Sequence, residues 1–194
     1  MKLFLKKNKS KGFSLVETLV AVSILSLSVA ATFTVVQTAL RQSIGAKDQI
    51  TAFYLAQEAI EFIKSFRDKN AIDSINGGTR TWLTDMSSLP SDPCYFGNVC
   101  VVDPAHPSTQ PLSFISCGTA PITSSPPNVC NPLNGDPVTG LFGYTSTWPA
   151  TRFKREVQFE SISANEVNII IFISWTDRGA AKFFRVSESL FNRQ

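Results

Sequence analysis

Proline is absent from the first 89 residues of this 194-residue chain and from everything after Pro149; all eleven prolines lie between Pro90 and Pro149. That distribution excludes a loop-rich fold at either end and predicts regular structure flanking an irregular middle. Charge is missing too. Thr18 to Leu40 carries no ionisable side chain, and charged residues make up only 17% of the chain against about 25% in ordinary soluble domains. Histidine occurs once, as His106 in Asp103-Pro104-Ala105-His106-Pro107, and no GxSxG elbow frames a serine beside it. HExxH, EF-hand and phosphate-cradling glycine motifs are all absent, which removes the common sequence signatures of metallopeptidases, calcium loops and nucleotide sites. The chain reads as a non-enzyme, and His106 as a loop histidine without a role.

What is present is concentrated at the start. Lys2, Lys6, Lys7, Lys9 and Lys11 lead to Gly12, and Phe13-Ser14-Leu15-Val16-Glu17 opens the uncharged run. As a helix rising about 1.5 Å per residue, Thr18–Leu40 spans roughly 35 Å, enough to cross a bilayer core of about 30 Å. A carboxylate in such a segment costs about 2.5–3.5 kcal/mol at mid-depth and less near its end, so Glu17 calls for a partner. Cleavage after Gly12 would expose the amine of Phe13 about one helical turn from Glu17, and a helix N-terminus itself favours a carboxylate. The formal charge of +3 is a leader effect: removing the five lysines gives 3 − 5 = −2, without the basic excess of a general nucleic-acid binder.

Lys11-Gly12-Phe13-Ser14-Leu15-Val16-Glu17-Thr18-Leu19-Val20-Ala21 resembles the processing site of type IV prepilins and type II secretion pseudopilins. The resemblance implies cleavage between Gly12 and Phe13 by a prepilin peptidase, N-methylation of Phe13, and an assembly role for Glu17. It covers about ten residues of motif and the apolar run that follows. One departure is the missing proline partway along the helix, where many pilins have one. Two other readings compete. An ordinary secretory signal peptide also begins basic and then apolar, and Ser28-Val29-Ala30 before Ala31 passes for its cleavage site. Against it, Glu17 falls inside the apolar region and the uncharged stretch continues well past Ala31. An uncut single-span anchor would keep its lysines cytoplasmic.

Beyond Leu40, Ile50, Phe53, Tyr54, Ile60, Ile63 and Phe66 recur at helical spacing, predicting an amphipathic continuation over 41–70 that has ended by Gly77-Gly78. Gly45 sits at the junction. The last third alternates like strands: Phe153, Val157 and Phe159 share one face of 152–160, with Lys154, Glu156, Gln158 and Glu160 on the other. Val167–Trp175 reads as a central strand, Thr176-Asp177-Arg178-Gly179 as a turn, and 181–191 as a third strand. The predicted fold is α+β: a long N-terminal helix, membrane-spanning in its lower half, packed against a small C-terminal antiparallel sheet in a type IV pilin-like head. The parts are a leader (1–12), a transmembrane and assembly helix (13–40), its amphipathic continuation (41–70), a loop-rich part with cysteines (71–149) and a strand part (150–194).

Cys94, Cys100, Cys117 and Cys130 all fall in the proline-rich segment. An even count in an exported segment suggests disulfides, and three connectivities exist. Cys94–Cys100 with Cys117–Cys130 is favoured because short-range pairs would pin two loops; a zinc site lacks its CxxC spacing. No cofactor is expected, although Asp92, Asp103 and Asp136 lie in loops and are candidate calcium ligands, as in some pseudopilins. Trp82 and Trp148 are candidates for a binding surface, while Trp175 packs at a strand end. Arg152, Lys154, Arg155 and Arg178 are candidates for a basic patch toward DNA, which some minor pilins bind, though such charges more often form a solvated face. The resemblance thus implies a structural subunit with prepilin peptidase, other pilin or pseudopilin subunits, an inner-membrane assembly platform and membrane lipid as partners. It would begin as a single-pass membrane protein with an extracytoplasmic head and end in an extracellular or periplasmic filament. The long loops and the C-terminal strand pattern point to a minor subunit. The rivals are a membrane-anchored binding domain that never polymerises and an exported enzyme built around His106.

Overall fold

A computed structural model describes residue 12, residues 14–105 and residues 113–192. The lysines of the leader, Phe13 and His106 lie outside the described residues. By contact density the chain forms two units, Met1–Ala46 and Lys47–Gln194.

The first unit holds the lower part of helix α1, Leu15–Ile75. Every residue from Leu15 to Ile44 is exposed, including each leucine, isoleucine, valine and phenylalanine of the uncharged run. Seven hydroxyl groups interrupt that run, and each donates to a carbonyl three or four residues back: Thr18, Ser23, Ser26, Ser28, Thr32, Thr34 and Thr38. Their polar demand is met inside the helix, as a hydrocarbon surrounding requires. This helix is long and apolar enough to cross a membrane.

The second unit contains the rest of α1. Its end is a Schellman motif: Gly77, at φ 84°, donates to Ser74 O, and Gly78 donates to Asp73 O. Because the left-handed residue that closes the motif is Gly77, the helix runs to Ile75, five residues past the predicted Asn70. Its buried stripe is Asp48, Ala52, Leu55, Ala56, Ala59, Ile60, Ile63, Arg67 and Asn70. This corrects the first half of the predicted face: Ile50, Phe53 and Tyr54 are more than half exposed while three alanines lie inside, and Ile60 and Ile63 are buried as expected. Small side chains let helix and sheet approach closely, and each fully buried Leu or Ile contributes about 1.5–3 kcal/mol.

The sheet is antiparallel throughout, with order β2-β1-β5-β6-β7. Its strands are β1 (Asn98–Val102), β2 (Phe114–Thr119), β5 (Lys154–Ser163), β6 (Glu166–Asp177) and β7 (Ala180–Phe191); β3 (Asn134–Gly135) and β4 (Phe142–Gly143) form a separate short ribbon. The three C-terminal strands stand where expected, but two more come from the segment read as loop. Val99, Val101 and Val102, β-branched residues around Cys100, form a strand-prone run hidden by the surrounding prolines. The β6–β7 turn places Arg178 at φ 49° and Gly179 at φ 83°, the left-handed pair that a two-residue hairpin demands.

The face toward α1 carries the main core: Val157, Phe159, Ile169, Ile171, Ile173 and Trp175 meet the helix stripe, with Trp82, Leu83 and Met86 closing one side. On the opposite face Val99, Val101 and Cys130 form a smaller cluster with Tyr144 against it. The disulfides divide between these faces. Cys94–Cys100 lies in the helix-side core, and Cys117–Cys130 joins β2 to the loop over the other face.

Candidate functional site

At the start of α1 the Ser14 carbonyl accepts the Thr18 amide at 3.1 Å, which makes Ser14 the N-cap and Glu17 the third helical residue. Ser14-Leu15-Val16-Glu17 therefore has the spacing of a capping box, serine followed three residues later by glutamate. The charge sits in the first turn, where the unpaired amides of the helix favour an anion. Glu17 is exposed and has no ion pair or hydrogen-bond partner among the described residues. Gly12 is exposed, with nothing within 4 Å of where a Cβ would stand.

The head has a different kind of polar chemistry. Arg155, on the helix-facing side of β5, is fully buried: Nη1 donates to Glu58 Oε2 at 2.6 Å and Leu55 O at 3.2 Å, and Nη2 to Val102 O at 2.6 Å. One guanidinium thus ties α1, β1 and β5 together. Arg152 pairs with the buried Asp48. Glu156, expected on the solvated face, is also buried; its carboxylate accepts the amides of Asn128 (2.9 Å), Val129 (2.7 Å) and Cys130 (3.0 Å) and holds the loop that carries the outer disulfide. Tyr144 donates to Arg155 O at 3.3 Å. Burial pushes its phenol well above the ordinary range, opposed by the positive Arg155 and reinforced by Asp103, so the hydroxyl stays a neutral donor.

Several expected groupings do not form. The basic patch is broken: Arg155 is interior, Arg152 is paired with Asp48, Arg178 lies 3.9 Å from Asp177, and Lys154 alone of the four has no ion pair among the described residues. The three aspartates offered for calcium serve separate local bonds. Asp92 accepts the amides of Ser88 and Leu89, Asp103 that of Tyr144, and Asp136 that of Val138 with the Thr139 hydroxyl. Those last two bonds, Thr139 first, hold the Asp136 carboxyl below the usual carboxylate range. No three His, Cys, Asp or Glu side chains gather into a metal-sized group among the described residues. Trp82 is buried in the core and Trp148 half-buried, which leaves neither as a free platform; Trp175 packs near Phe153, ring centroids 6.0 Å apart.

Asp48 escaped the sequence reading, although a pattern marked it. It precedes Ala52, Leu55, Ala59 and Ile63 at steps of three and four, so it had to point inward with a cation to meet it.

Residues 7–33 match the family model described as the prokaryotic N-terminal methylation motif, the prepilin-type cleavage and methylation signature of type IV pilins and pseudopilins. No curated protein and no solved structure matches the chain.

Proposed function

Starting from the prepilin-type motif that this chain carries, we propose that it is a filament subunit, a minor pilin or pseudopilin, cut between Gly12 and Phe13 and methylated on Phe13. The observation that carries this reading is Glu17, the lone charge at the head of a fully exposed apolar helix, with no partner among the described residues. Its natural complement is the amine that cleavage releases, on a neighbouring copy or the same one. Pairing within hydrocarbon offsets the cost of two isolated ions, and where the amine belongs to a neighbouring copy the pair joins two subunits.

The apolar side chains from Leu15 to Leu40 then pass from lipid to the flanks of neighbouring helices. Lipid and helix are equally apolar, so packing and the Glu17 pair supply the driving force, not dehydration. The internally bonded hydroxyls make that surface neutral toward any neighbour. The head contributes recognition instead. Its two disulfides and long connections favour a low-abundance subunit over a shaft-forming one. We read the protein as a structural component, and its partners as prepilin peptidase, other subunits and the membrane assembly platform.

The test is mass spectrometry of the intact, membrane-extracted protein and of its N-terminal peptide, with and without reduction. The reading expects a chain beginning at N-methyl-Phe13 and four hydrogens fewer than the reduced form, for two disulfides. A chain still beginning at Met1 would make it a plain anchored domain, and one beginning near Ala31 a secreted protein.

A further inference from the structure

Two charges bound the uncharged run, and they are of opposite sign. Glu17 stands just before Thr18 and Arg41 just after Leu40, and no other side chain from Ser14 to Ala46 is charged. Both are exposed, and neither side chain has an ion pair or hydrogen bond among the described residues. They cannot meet within one chain: 41 − 17 = 24 residues of unbroken α1 hold them about 36 Å apart. A pair between them takes a second copy.

Copies inserted the same way are parallel, and a parallel copy shifted by those 24 residues brings its Glu17 level with Arg41. Lys47, exposed and without an ion pair among the described residues, follows within two turns and adds a second cation. By residue count along α1, the same shift sets Ile44, Ile50, Phe53 and Tyr54 level with Val20, Ser26, Val29 and Ala30 of the second copy. Those four side chains are each more than half exposed, and the run that reaches them is exposed on every side. A shifted parallel contact is heterologous: it repeats from copy to copy without closing and so generates a filament. One polar contact in an otherwise apolar helix interface is what fixes its register.

We infer that Arg41 of one copy pairs with Glu17 of a second copy shifted about 36 Å along it, and that this pair sets the register of the helix stack. The inference rests on the filament reading proposed above and deepens it. At the end of an inserted run Arg41 reaches lipid phosphates. A subunit drawn out of the bilayer loses them, and the carboxylate of the second copy takes their place. The amine of Phe13 does not compete, because a carboxylate offers about four acceptor sites.

The experiment introduces Ala21→Cys and Gly45→Cys together in the full chain, about one turn beyond Glu17 and Arg41 on the same side of α1. Ala21 is exposed, Gly45 has nothing within 4 Å of where a Cβ would stand, and the native cysteines are already in disulfides. Sheared filaments are oxidised, and the new bonds are located by peptide mass spectrometry. The expected bonds join position 45 of one chain to position 21 of another. In the otherwise unchanged chain, Arg41→Gln should lower its share of the filaments about tenfold, the scale of one polar contact between helices. Its insertion and its cleavage after Gly12 should not change, and Arg41→Lys, which keeps a cation, should restore the share. Bonds joining like positions would set the copies level and overturn the inference. So would filaments that carry the chain without bonds between copies, or a share that Arg41→Gln does not move; each of these leaves the filament reading standing. A wild-type chain absent from filaments would overturn that reading and this inference together.

Discussion

Residues 15–46 and 47–75 belong to one helix, yet they treat their side chains in opposite ways. The lower stretch exposes every apolar side chain and closes each hydroxyl from Thr18 to Thr38 on its own backbone. The upper stretch exposes Ile50, Phe53 and Tyr54, buries a stripe rich in alanine, and sends three of its polar groups to distant partners: Asp48 to Arg152, Glu58 to Arg155, Asn70 to Thr84. The lower stretch, which we propose passes from lipid to other helices, meets the polar demand of the hydroxyls in its uncharged run internally. A helix that holds one fixed neighbour commits polar groups to that neighbour. The difference teaches that helical continuity says little about role; the destination of each polar group says more.

The comparison breaks most sharply at Arg155. Arg155→Ala should destabilise the head by about 3 kcal/mol, the lower end for a buried pair because the Glu58 side chain is 37% exposed. Unfolding of the detergent-solubilised chain in urea would show it, and a loss under about 1 kcal/mol would mean the guanidinium is not the tie between α1, β1 and β5. Ile63→Ala should cost about 2–3 kcal/mol, since Ile63 is fully buried. The matched change in the lower stretch, Ile24→Ala, should leave the same curve within about 0.5 kcal/mol. Equal effects at the two positions would erase the distinction between the stretches.

The disulfides sharpen the contrast within the head. Replacing Cys117 and Cys130 by alanine opens a loop of sequence separation 13, and replacing Cys94 and Cys100 one of 6. The chain-entropy difference is only about 0.6 kcal/mol in favour of the longer loop. Cys94 and Cys100 are both fully buried, however, so their loss adds a core defect and should match or exceed the other in melting temperature. The smallest effect belongs to Asp136. Its folded carboxyl titrates below 3.8, so its contribution is present above that pH and disappears as pH falls through the lower folded value. Asp136→Asn should therefore flatten the acid limb of the stability curve slightly and change nothing under more acidic conditions.

Much of this was legible from residue types alone. The uncharged run, the glutamate near its start and the C-terminal strand alternation depend on local chemistry, and the structure keeps them. What stayed hidden depended on which neighbour arrived. Val99–Val102 looked like loop because proline flanks it, until β5 paired with it through Val157 and Gln158. Arg155 and Glu156 looked solvated because charge usually is; only the folded chain supplies the carbonyls and amides that make them interior. The helix face was misassigned at Ile50, Phe53 and Tyr54, where large side chains outweighed alanine in the reading, whereas close packing against the sheet favours the smaller side chain; Ile60 and Ile63 are buried as read. Asp48 was readable from its register with Ala52 and Leu55, but its partner Arg152 lies more than a hundred residues away.

The central claim is that the lower helix enters a filament through Glu17. It is tested most directly by expressing Glu17→Ala and comparing the amount of this chain in sheared filaments with the amount in the membrane fraction. The account predicts a protein cleaved after Gly12 and retained in the membrane but absent from filaments. Filaments carrying the variant at wild-type levels would contradict it.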